Sequence, residues 1–126
     1  MSLTTRQKEV IETVARERAR FSSEAYVFTY EALGFVLARR AREGLKGHIT
    51  GQELLEGIRD FARKCFGYLG QTVFESWGLT KSSDFGDIVF DLVEKDVLSK
   101  QESDTKSDFE GGFAFAEAFE ESFIHE

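Results

Sequence analysis

Cys65 is the chain's single thiol, and only two histidines, His48 and His125, accompany it. A thiol beside an imidazole is the smallest set for nucleophilic catalysis, because the imidazole generates the thiolate. Cys65 with His48 is the one pair that could do this. The residues around Cys65 point elsewhere. Leu54, Leu55, Ile58, Phe61, Ala62, Cys65 and Phe66 recur at helical spacing, and cysteine is among the most buried residue types. A buried, inert thiol is the expectation. His48 reads as a loop residue ahead of a helix cap, and His125 is next to last.

Metal chemistry has as few ligands to draw on. One thiol and two imidazoles build no zinc site without several carboxylates. Asp104, Asp108 and Glu110 beside Gly111 and Gly112 suggest oxygen ligands for calcium, but the chelating Glu that closes an EF-hand loop is missing. The glycines fit neither the P-loop nor the dinucleotide fingerprint. With 23 Asp and Glu in the chain, accidental carboxylate pairs abound and carry no hydrolytic signal. The expectation is no metal, no cofactor and no enzyme, with a carboxylate-based active site as the third reading.

Two charge clusters are better defined. Asp84, Asp87, Asp91 and Glu94 recur every three or four residues, which places them along one helix face. They form a candidate protein-binding surface. Arg16, Arg20, Arg39, Arg40, Arg42 and Lys46 are the basic alternative, a patch for RNA or a ribosomal surface. Charge is split along the chain. Residues 1–63 hold 11 Lys and Arg against 9 Asp and Glu, and residues 64–126 hold 5 against 14. The acidic half opposes phosphate, so duplex DNA is not the expected partner.

The elements that must position these groups are mostly helical. Proline is absent from all 126 residues, which favours uninterrupted helices. A first helix is expected over 4–18, capped by Thr4 or Thr5. A second, over 23–43, is apolar on most of its circumference and therefore central. Thr50 and Glu53 make a T-x-x-E capping box opening a third helix that Gly67 stops. His48 and Ile49 suggest a short strand before it. A short fourth helix ends at Gly78, and a fifth follows Ser82, Ser83 or Asp84. Beyond Asp96, Val97–Leu98 and Phe113–Phe115 flank a polar middle, the pattern of a β-hairpin with a long turn. Phe115, Phe119 and Phe123 lie four apart, which predicts a last helix of two turns.

The expected fold is therefore α+β, mostly α: a compact helical domain with a winged-helix-like second half. In it a helix-turn-helix pair leads into a β-hairpin and a short C-terminal helix. One domain over 1–126 is expected, with 1–20 as an N-terminal helix and 21–126 as the main body. No apolar run reaches the length of a membrane span. The opening residues lack the apolar core of a secretory signal. A lone cysteine fits a reducing cytoplasm.

The stretches "EAYVFTYEAL", "HITGQELLEGIRDFA", "FGYLGQTVFESWG", "DFGDIVFDLVE" and "DFEGGFAFAEAF" together resemble a small uncharacterised bacterial protein family of planctomycete, verrucomicrobial and acidobacterial type. The resemblance runs from about residue 21 to 123. It implies one domain, a bacterial intracellular setting and a tail that belongs to the domain. It brings no activity, cofactor or site residue.

That tail, "DFEGGFAFAEAFEESF" over 108–123, holds five phenylalanines and five acids. Left in water, the rings would form an exposed patch prone to association. The expectation is that they close this chain's own core, with a second copy as the alternative recipient in a homodimer. The function expected from sequence is a non-catalytic cytoplasmic interaction or adaptor protein. Its partner would be an unidentified protein meeting the acidic face.

Overall fold

The computed structural model describes residues 3–47, 49–99 and 109–120. Among these residues the chain forms helices and no strand. They are α1 (Thr5–Arg18), α2 (Ser23–Arg42), α3 (Gly51–Phe66), α4 (Gly70–Ser76), α5 (Asp84–Glu94) and the single-turn α6 (Phe115–Ala118). A 3-10 turn at Gly67–Leu69 joins α3 to α4. No described helix is long and apolar enough to cross a membrane.

The helix starts follow from their caps. The Thr4 hydroxyl accepts the Gln7 amide at 3.1 Å, and the Gln7 side chain accepts the Thr4 amide at 2.9 Å, a reciprocal pair that satisfies two orphan donors. Thr50 Oγ1 accepts the Glu53 amide at 3.0 Å. The other half of that expected box is not made, because the Glu53 carboxylate takes the Arg40 guanidinium instead. α2 is the central helix. It buries Ala25, Tyr26, Phe28, Thr29, Tyr30, Ala32 and Val36, and it packs against α1, α3 and α5.

The winged-helix expectation is overturned. Val97 and Leu98 are not a strand. Their amides both donate to the Leu92 carbonyl, at 2.9 and 3.2 Å, and so close the end of α5. Asp96 sits at φ 60°, the left-handed conformation that ends a helix as readily as it starts a wing. Phe113 finds no partner strand among the described residues, and its amide donates to Ser82 Oγ at 3.2 Å. Phe115 then opens α6. The strand-like alternation of Phe113 and Phe115 serves a chain crossing the core singly, not a sheet. The hairpin's expected turn at 100–108 lies outside the described residues. Ile49 is likewise not in a strand, and α6 has one turn where two were expected, with 121–123 undescribed.

Phe74 is the hub of the core. Its ring is fully buried and meets Phe85 and Phe115 at 5.1 Å, Phe119 at 5.4 Å and Phe28 at 5.6 Å between centroids. Two of those partners come from the tail. Phe109, Phe115 and Phe119 are buried, and Phe113 is half-buried against Phe115. Glycines seat these rings. A Cβ on Gly70 would enter the Phe119 ring, and one on Gly86 would lie 2.8 Å from the Phe109 side chain. Polar ties hold the tail's backbone: Gln52 donates to the Glu110 carbonyl and Arg63 to the Ala118 carbonyl, both at 2.8 Å. The tail therefore closes this chain's own core through residue 119. Phe123 is outside the described residues.

Candidate functional site: an ion-paired helix face and an apolar groove

The acidic row of α5 is met by the corner between α1 and α2. Arg18 Nε lies 3.1 Å from Asp91 Oδ1, and its Nη2 lies 2.6 Å from Glu94 Oε1. Arg20 reaches Asp84 at 3.1 Å and Asp87 at 2.7 Å. The Tyr26 hydroxyl donates to Asp91 Oδ2 at 2.7 Å. These contacts account for the electrostatics. Asp91's charge first, then the Glu94 hydrogen bond, raise the Arg18 pKa. The Asp87 hydrogen bond does the same for Arg20. Burial, and after it the bond to Asp91, hold the Tyr26 phenol protonated above the ordinary tyrosine range.

Asp84 differs from its neighbours. Sequence spacing puts it on the outer face, but its side chain is only 2% exposed. Its Oδ2 accepts the Thr80 amide at 2.9 Å, the Thr80 hydroxyl at 3.2 Å and the Lys81 amide at 3.2 Å. A buried carboxylate is tolerated when donors surround it in this way. Asp84 thus shapes the α4–α5 loop, while Asp87, Asp91 and Glu94 remain reachable from water.

The basic residues do not gather into one patch. Arg16 and Arg20 stand at the α1–α2 corner, whereas Arg39, Arg40, Arg42 and Lys46 stand at and beyond the far end of α2. A helix of 20 residues separates the groups by about 30 Å. Arg39 pairs with Asp60 at 2.8 Å. Arg40 pairs with Glu53 and also donates to the Lys46 and Gly47 carbonyls, so it fastens the α2–α3 loop. Arg16, Arg42 and Lys46 are exposed.

Cys65 corrects the expectation of a buried thiol, because it is exposed. The stripe of α3 turns past it: Ala62 is buried and Phe66 half-buried, and Cys65 falls on the solvent side. Partial desolvation of the sulfur, then the Glu31 carboxylate, still push its pKa up, against Lys64. His48, and with it the Cys65–His48 pair, lies outside the described residues. Asp104 and Asp108 are also undescribed. Among the described residues no group of three metal-ligating side chains converges.

The site that sequence reasoning missed is an apolar groove of about 420 Å³ between α2, the start of α3 and the end of α5. Tyr30, Leu33 and Leu37 line it from α2, Leu54 from α3 with Ile49 just before that helix, and Val89 and Val93 from α5. Val97, Leu98 and Phe109 line it as well. The polar side chains in its described lining are the hydroxyls of Tyr30, Thr50 and Ser99. Leu37 is 41% exposed and Leu45, in the adjoining loop, 51% exposed. Leu33, Leu37 and Val93 sit where a one-dimensional pattern assigns core. The only available signal was a surplus of apolar positions on α2 beyond those that one packed face requires. Comparison of the chain with protein-family models, curated proteins and solved structures gives no match.

Proposed function

We propose that this protein is a non-catalytic interaction module whose docking site is the groove between α2, α3 and α5. The observation that carries this reading is the groove's lining. Aliphatic walls with three hydroxyls favour burial of apolar side chains, and the described lining carries no carboxylate, imidazole, thiol or amine. Its volume lies within the range of sites that take a few side chains or a small ligand. The α5 acidic row, attractive from sequence, is largely occupied by the chain's own Arg18, Arg20 and Tyr26. We therefore assign the partner to the groove rather than to that row. The bacterial family resemblance rests on its motifs alone and adds no role.

A photo-crosslinking residue at Leu37, in the full chain expressed in a bacterial host, tests this. The expected result is a discrete protein adduct that disappears when Val93→Asp places a charge in the groove. Labelling a control position that is exposed and does not line the groove, Glu120, should give no such adduct. Equal adducts from both positions, or a Leu37 adduct untouched by Val93→Asp in a folded protein, would overturn the assignment. An adduct of twice the chain's mass would identify the partner as a second copy.

A further inference from the structure

We infer that α1 is an arm held to α5 by an ionic latch and released by rising ionic strength before the rest of the fold opens. The charged ties between α1 and α5 are Arg18 to Asp91 and Glu94, supported by Glu17 to Lys95 at 3.7 Å. Arg20, just past the corner, adds Asp84 and Asp87. Most of these groups face water: Arg18 is 41% exposed, Arg20 54% and Glu94 63%. Pairs so exposed are screened by salt, whereas apolar packing is not weakened by it.

The rest of the architecture makes α1 the part that responds. α1 fully buries only Ile11 and Val14, and its helix packing is chiefly against α2. The corner itself favours opening. Ala19 is held at φ 54°, a left-handed conformation that alanine adopts only against a steric penalty. Closure thus depends on the two arginines offsetting the strain at Ala19. α3 has ion pairs of its own to α2, through Asp60 and Glu53, but it buries Leu54, Leu55, Ile58 and Ala62 and so is held chiefly by apolar packing.

Hydrogen exchange of the full chain in sodium chloride tests the latch. Between about 0.01 M and about 1 M, where the screening length falls from ~30 to ~3 Å, α1 amides should exchange about tenfold faster while α3 amides hold. Arg18→Gln, which leaves the Arg20–Asp84 contact intact, should make α1 fast at both salt concentrations. Ala19→Gly, which relieves the corner, should slow α1 exchange at high salt. Equal salt responses of α1 and α3, or an α1 response that persists in Arg18→Gln, would overturn the inference.

Discussion

Cys65 illustrates how one side chain's surroundings separate access from reactivity. It is exposed, so a reagent can reach it, but desolvation and Glu31 favour the neutral thiol. The thiolate is the reacting species. Native protein should therefore label, with a rate that climbs only as pH passes above the ordinary thiol range. The linkage has a definite sign. A raised folded pKa contributes stability that is complete below the unfolded thiol value, about 8.5, and is lost as pH rises through the folded one. Cys65→Ser should change stability by no more than about 0.5 kcal/mol, as for a surface position. A loss of about 1–3 kcal/mol, as expected for burying a bare hydroxyl, would mean the sulfur is packed after all. Thiol labelling against pH with urea unfolding of the serine variant decides both points.

At the scale of elements, the glycine seats show how helices receive the tail. Gly70 starts α4, and the Phe119 ring occupies the space its side chain would need. An unobstructed glycine-to-alanine change in a helix stabilises by up to about 1 kcal/mol. Here the sign should reverse, to a loss of about 1–3 kcal/mol from overpacking. The cost should shrink when Phe119→Leu removes the ring edge, a coupling that a double-mutant cycle reads directly. Equal costs in both backgrounds would detach Gly70 from the tail. Elements were also what the sequence disclosed best. Thr4, Thr50, Gly67 and the apolar stripes mark the ends and inner faces of α1, α3 and α5. The hairpin expectation fails because its signal is degenerate: two short apolar ends with alternating phenylalanines suit a strand pair or a single chain lying on a core. The groove left no signal beyond the surplus of apolar positions on α2, since a concavity depends on how α2, α3 and α5 lean on one another rather than on any one helix's period.

At the scale of the whole molecule, the tail is structural rather than an appendage, and its removal is the sharpest test of the fold. Phe109 lies against Gly86 and Phe90, and Phe115 and Phe119 lie against the central Phe74. Three large rings from residues 109–119 are thus 5% exposed or less. A truncation ending at Asp108 would empty all three places, uncover Phe74 and remove the rings seated on Gly70 and Gly86. Losing one buried phenylalanine costs about 3–5 kcal/mol, and a domain of this size has about 5–15 kcal/mol in total. Three such losses, about 9–15 kcal/mol, are as large as most of that total. The truncated chain should keep helical far-ultraviolet dichroism yet lose its near-ultraviolet signal and its cooperative melt, the signs of a loosely packed state. Phe115→Ala alone should stay folded with stability reduced by about 3–5 kcal/mol. The truncation also bears on the groove, because Phe109 is part of its lining. If the Asp108 truncation melted at the full chain's temperature, the tail would not be core, and the groove would not depend on it.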